Sequence, residues 1–121
     1  MISFCVEIEP VPKGRPRVTK KGHTYTPNKT AAFEKTFAHL AKTHVRTSPL
    51  EGPLSCRIVL YFASPKKPAK PYPKGDIDNF AKSILDALNG VLYFDDSQVC
   101  LLEVTKEYSD RGRICVSLDK L

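Results

Sequence analysis

The stretch from Gly75 to Val99, GDIDNFAKSILDALNGVLYFDDSQV, concentrates the residues able to do chemistry. Asp76 and Asp78 are separated by one residue, Lys82 follows one helical turn after Asp78, and Asp86 one turn after Lys82. Asp95-Asp96 form a second acidic pair. Carboxylates gathered in this way repel and raise one another's pKa unless a cation is shared among them. A divalent ion held by these acids and facing a phosphate polyanion would resolve the repulsion. In extended chain Asp76 and Asp78 point to the same side. At a helix start both would sit where the macrodipole favours negative charge.

A plainer reading stands beside this one. The next helix starts near Asp78 or Asn79, either of which can cap it. Lys82 then pairs with Asp78 or Asp86 across one turn, for about 0.3 kcal/mol. That account leaves Asp76 and the Asp95-Asp96 pair unexplained. Adjacent side chains diverge, so one member of that pair reaches a shared site and the other serves a turn, for which Asp before Ser is well suited. Spacing alone leaves both readings open. A calcium EF-hand loop is excluded, because counting from Asp76 the sixth position is Ala81 rather than Gly and the twelfth is Ala87 rather than Glu.

The charge around this acidic segment is of the opposite sign. Nineteen Lys and Arg face thirteen Asp and Glu in 121 residues, for a formal charge of +6. Six cations lie between Pro12 and Thr30 (Lys13, Arg15, Arg17, Lys20, Lys21, Lys29) and four between Pro65 and Lys74 (Lys66, Lys67, Lys70, Lys74), with no acid in either run. One such run reads as a solvated loop. Two, one leading directly into the acidic motif, point to phosphate binding.

The elements that must position these residues can be read from periodicity. Ile2, Phe4, Val6 and Ile8 alternate with Ser3, Cys5 and Glu7 as in a half-buried strand. A Gly/Pro/Lys-rich loop follows, and Pro27 suits the first turn of a helix whose stripe is Ala32, Phe33, Phe37, Leu40, Ala41 and Val45. Leu54 to Phe62 alternates as a second strand. SPKKPAKPYPKG is too rich in proline for helix or central strand and reads as an exposed loop. The helix after it carries Phe80, Ile84, Ala87 and Leu88 inward, with Gly90 as the residue past its end. Val99 to Lys106 and Arg113 to Leu118 read as strands joined by a turn at Ser109-Asp110-Arg111-Gly112, a hairpin. The order β-α-β-α-β-β predicts an α+β fold, with helices on one face of a small mixed sheet, in one domain spanning residues 1–121.

Other chemistries find little support. Cys5, Cys56, Cys100 and Cys115 form no C-x-x-C pair, the three histidines show no zinc spacing, and the thiols read as buried and free in a reducing cytoplasm. MISFCVEIEP lacks the basic and long apolar regions of a signal peptide, and no apolar run approaches the roughly 20 residues of a membrane helix. The expectation is a soluble cytoplasmic protein.

DIDNFAKSILDALNGVLYFDDSQV resembles the signature of the RusA family of Holliday-junction endodeoxyribonucleases of phages and prophages. That signature has Asp-x-Asp-Asn, a Lys four residues past the second Asp, Asp-Ala-Leu, and Asp-Asp-x-Gln-Val, all at the spacing found here. GRPRV (Gly14 to Val18) and TYTP (Thr24 to Pro27) also resemble phage-type members. The resemblance implies metal-binding carboxylates at Asp76, Asp78 and Asp96 and a catalytic lysine at Lys82, with Asp86 and Asp95 as scaffold. It further implies a homodimer that uses one or two magnesium ions per subunit to cut four-way junctions by paired symmetric nicks. Lys13, Arg15, Arg17, Lys20, Lys21, Lys66, Lys67, Lys70 and Lys74 would then hold the DNA backbone. Tyr25, Tyr72 and Phe94 are candidates to stack on bases, beside the plainer readings of Phe94 as a core residue and of the tyrosines as loop anchors. The rival readings are a metal-independent DNA-binding protein, a nuclease for flaps, forks or RNA, and a protein-interaction domain.

Overall fold

A computed structural model describes residues 1–14, 17, 18, 20–22, 24, 25 and 28–121. Arg15, an expected DNA contact, and Pro27, expected in the first turn of a helix, lie outside the described residues. The elements run β1 (Ile2–Val6), β2 (Arg17–Val18), β3 (Thr24–Tyr25), α1 (Asn28–His44), β4 (Leu54–Ala63), α2 (Ile77–Ala87), a 3₁₀ turn (Asp96–Gln98), β5 (Val99–Ser109) and β6 (Arg113–Lys120). The expected α+β class holds, with β2 and β3 forming an additional small antiparallel ribbon.

Four strands form one mixed sheet in the order β1-β6-β4-β5. β4 is central because it is the most apolar strand, with Leu54, Cys56, Ile58, Leu60 and Phe62 buried in strict alternation. Antiparallel β6 lies on one side of it and parallel β5 on the other. The expected hairpin of β5 and β6 is therefore corrected. Each bonds to β4 rather than to the other, and residues 110–112 cross the end of β4, where Ser64 N–H donates to Ser109 O at 3.0 Å. A run of alternating apolar residues specifies a strand but not its neighbour, and burying β4 on both edges satisfies more backbone groups than a free-standing hairpin.

α1 and α2 cover one face of the sheet. Phe33, Phe37 and Ala41 are buried from α1, and Phe80, Ala81, Ile84 and Ala87 from α2. Phe37 packs on Phe4 of β1 with ring centroids 6.2 Å apart, and Phe80 meets Phe62 of β4 edge-on at 5.0 Å. Ala32, read from the sequence as part of the α1 stripe, is exposed. α2 forms the crossover between the parallel strands β4 and β5, which no short turn could supply.

The cysteines require a further correction. Cys5 and Cys115 are opposite residues in the β1–β6 register, with Cα atoms 4.1 Å apart, and are joined by a disulfide. Their separation of 110 residues hides this pairing from a linear reading. Cys56 is buried and free, and burial pushes its thiol up to about 12, while Cys100 is free but exposed. No helix among the described residues is long and apolar enough to cross a membrane.

Candidate active site

The proline- and lysine-rich connection between β4 and α2 is irregular and exposed, as its composition dictates, and it delivers the chain to Asp76 at the start of α2. Three features fix that delivery. Pro73 is buried. Gly75 takes φ +104°, and a Cβ there would come within 2.7 Å of the Phe80 ring, so both conformation and space require glycine. From the neighbouring strand β5, Lys106 Nζ donates to Pro73 O at 2.9 Å and Gly75 O at 2.5 Å. Periodicity gives no sign of this lysine's role, because its partners are backbone carbonyls 33 and 31 residues away.

Asp76, not Asp78 or Asn79, occupies the N-cap of α2, which corrects the expected start of the helix. Its carbonyl accepts from Asn79 N–H at 3.1 Å, but its side chain makes no capping hydrogen bond. The Asp76 carboxylate is thus not consumed by the fold at the one position where capping would explain it. Asp78 lies in the first turn and is exposed. Both are at the positive end of the helix macrodipole, which lowers the cost of collecting anions there.

Past the end of α2, Gly90 adopts φ +74° and the chain turns back. Leu92 and Tyr93 are fully buried, and Tyr93 Oη donates to Leu85 O at 2.6 Å, pinning this return to the helix. Phe94 then emerges at 60% exposure instead of joining the core. Asp95 caps the 3₁₀ turn. Its Oδ2 accepts from Ser97 N–H at 3.0 Å, and the Ser97 side chain, with this N–H second, holds its carboxyl below the usual carboxylate range. Gln98 completes a capping box, with Oε1 accepting from Phe94 N–H at 2.8 Å and Asp95 N–H at 3.0 Å. Its Nε2 donates to Leu50 O at 2.9 Å and Gly52 O at 3.0 Å. Gln98 therefore bolts the acidic turn to the segment before β4, a function that its place in the Asp-Asp-x-Gln motif signals only in retrospect.

That turn presents Asp96 to α2. Lys82 Nζ lies 2.9 Å from Asp86 Oδ1 and 3.4 Å from Asp96 Oδ2, and among the described residues no ion pair joins it to Asp78. The hydrogen bond to Asp86, opposed by some burial, raises the Lys82 ammonium above its ordinary range. Lys13 Nζ reaches Asp86 Oδ2 at 3.0 Å and Glu34 Oε1 at 2.6 Å. Burial works against the Asp86 carboxylate, but the bonds from Lys82 and Lys13 outweigh it and hold its pKa low. Lys20, Lys21, Lys66, Lys67, Lys70 and Lys74 are exposed, and Arg17 lies in β2. Lys13 differs from them, its side chain only 20% exposed between two acids.

Asp76, Asp78 and Asp96 have the hard oxygen donors magnesium takes, and none is tied up in a cap. Among the described residues, no three acidic, histidine or cysteine side chains converge closely enough to form a metal group as they stand. The donor chemistry fits the ion, and the two N-terminal acids and Asp96 flank Lys82 from opposite sides in the chain.

A family model described as Endodeoxyribonuclease RusA matches residues 7–119. The uncharacterized protein YqaN of Bacillus subtilis (strain 168) is 35% identical over 134 aligned residues, which cover 97% of this chain and 94% of that relative.

Proposed function

This chain belongs to the RusA endodeoxyribonuclease family, and on that premise we propose that it is a magnesium-dependent nuclease resolving four-way DNA junctions by paired symmetric nicks. The observation that carries the reading is the meeting of Lys82 with Asp96, which joins the acidic turn to the helix whose N-terminus bears Asp76 and Asp78.

Asp76, Asp78 and Asp96 would hold one or two magnesium ions, which when bound polarise the scissile phosphate and lower the pKa of water. Lys82 offsets the negative charge that develops on the phosphorane. Its bonds to two carboxylates keep it protonated, so it serves as an electrostatic stabiliser and not as a general base. The exposed lysines of residues 66–74, with Lys20 and Lys21, neutralise flanking phosphates. Tyr72, 50% exposed, and Phe94 offer aromatic faces to bases unstacked at the branch.

A junction of near two-fold symmetry requires two cuts, and one chain supplies one set of these acids. A homodimer with a two-fold axis gives two equivalent sites. The test is cleavage of end-labelled four-way, forked and linear DNA with and without magnesium. Magnesium-dependent, symmetric cutting of the four-way substrate is expected. Equal cutting of linear duplex, or binding with no cleavage at any magnesium concentration, would overturn the proposal.

A further inference from the structure

The chain just before the first basic segment is strapped into the cleft between α1 and α2. Ser83, fully buried, has its Oγ 2.6 Å from Val11 O. Lys13 N–H donates to Asn79 O at 2.8 Å, and Gly14 N–H donates to Thr30 Oγ1 at 2.9 Å. Thr30, 2% exposed, in turn donates to Pro12 O at 3.3 Å. These bonds use the buried polar side chains of both helices and leave residues 11–14 one path. The path places the Lys13 ammonium between Glu34 of α1 and Asp86 of α2. Both carboxylates are only 19% exposed, so each depends on that cation more than a surface acid would. Asp86 divides its oxygens, one to Lys13 and the other to Lys82.

The result is a continuous chain of alternating charge, Glu34–Lys13–Asp86–Lys82–Asp96, which runs from α1 through the root of the basic segment to the acidic turn. From it we propose that Asp86, oriented by Lys13, is a positioning residue: it holds the Lys82 ammonium beside Asp96, and Lys13 serves this arrangement rather than binding DNA phosphate. A lysine side chain 55% exposed would otherwise sample many rotamers. Asp86 selects the one that reaches Asp96, and Lys13 stops Asp86 from rotating away. The inference rests on the assignment of Lys82 to the cleavage step made above.

Single-turnover cleavage of a four-way junction in magnesium, beside junction affinity measured across a salt series, tests it on full-length protein. Asp86→Asn is expected to slow cleavage at least tenfold, with affinity within twofold of the unsubstituted chain. Lys13→Met is expected to slow cleavage several-fold without changing affinity or the slope of affinity against salt. Because Lys13 acts through Asp86, the double variant should be no slower than Asp86→Asn alone. If Lys13→Met instead weakens binding and flattens the salt slope, Lys13 is a phosphate contact and the proposal fails. It also fails if both single variants cleave at the normal rate, or if their effects multiply in the double variant. Should Asp86→Asn not fold, Lys13→Met removes the same restraint from the other side. Failure of the underlying function is distinct, since then the unsubstituted chain cuts no junction, or Lys82→Ala cuts as fast as it does.

Discussion

Lys82 and Asp96 stand fourteen residues apart in the chain and meet at 3.4 Å, across the gap between the middle of α2 and the turn that precedes β5. Neither helix periodicity nor strand alternation produces that meeting. It depends on the reversal after α2, in which Leu92 and Tyr93 are driven into the core and the next residues are locked by Asp95 and Gln98. The acids of the motif accordingly divide by what the backbone asks of them. Asp95 is spent on the turn and Asp86 on two lysines, whereas Asp96 pairs only with Lys82 and Asp76 and Asp78 form no salt bridge among the described residues, which leaves these three as the proposed ligands.

That division predicts unequal effects of isosteric substitution. Asp76→Asn, Asp78→Asn and Asp96→Asn should each lower single-turnover cleavage by a factor of about 100 or more, the scale on which removing electrostatic stabilisation at a reacting centre acts. Junction binding should survive, because the lysines proposed to hold phosphate are untouched. Lys82→Ala should likewise reduce rate far more than affinity. Retained cleavage in any one aspartate variant would remove that residue from the site.

Much of this arrangement is legible in the sequence, and the exceptions have a common cause. The alternation in β4 and the stripe of α2 follow from local periods of two and 3.6, so Leu54 to Phe62 and Phe80 to Leu88 need no tertiary information. The family resemblance rests on one dense segment of this kind. What is not legible is set by lateral pairing. The insertion of β4 between β5 and β6, the Cys5–Cys115 disulfide, and the grip of Lys106 on Gly75 all join residues that no local pattern relates. Lys13 shows the same limit for charge. It reads as one more cation of a basic run, and only the packing of α1 beside α2 reveals the two acids around it.

Gln98→Ala should destabilise the fold and the site together. The substitution orphans the Phe94 and Asp95 N–H groups and the Leu50 and Gly52 carbonyls. With partial rescue by water at this half-exposed position, the loss should be about 2 kcal/mol in urea unfolding. Cleavage should fall by more than the folded fraction accounts for, because Asp96 loses its orientation. An unchanged midpoint would show that the turn is held by Asp95 alone.

Gly75→Ala carries two penalties, a positive φ and a Cβ pressed to 2.7 Å from the Phe80 ring. Left-handed backbone in a non-glycine residue costs on the order of 1–2 kcal/mol. Displacing Phe80 adds to it, since that ring is buried against Phe62. Thermal unfolding should shift downward. Activity should also fall in excess of the stability change, as Asp76 is the next residue. Equal loss of activity and folded fraction would mean that Gly75 serves the fold alone.

The linkage of Asp86 to two lysines makes stability depend on acid pH. Its carboxyl is depressed in the folded chain, so the unfolded chain binds the extra proton between the folded pKa and the unfolded value of about 3.9. The contribution is therefore complete above that unfolded value and is lost as pH falls through the folded one. Denaturation midpoints measured from pH 6 downward should drop more steeply for the unsubstituted chain than for Asp86→Asn. Parallel curves would mean that the carboxylate is not held by Lys13 and Lys82 in solution.

The 66–74 segment can be tested apart from the chemistry. Lys66, Lys67, Lys70 and Lys74 are exposed and form no salt bridge among the described residues, while Lys70 also lies 5.7 Å over the Tyr72 ring. Every phosphate left without its lysine should reduce the slope of log affinity against log salt by about 0.9. Replacing all four with glutamine should thus weaken junction binding most at low salt and flatten its salt dependence. The cleavage rate at saturating protein should change little, since on the proposed reading these side chains hold the flanking backbone and not the reacting phosphate. A loss of rate at saturation with an unchanged salt slope would place this segment in the catalytic step instead.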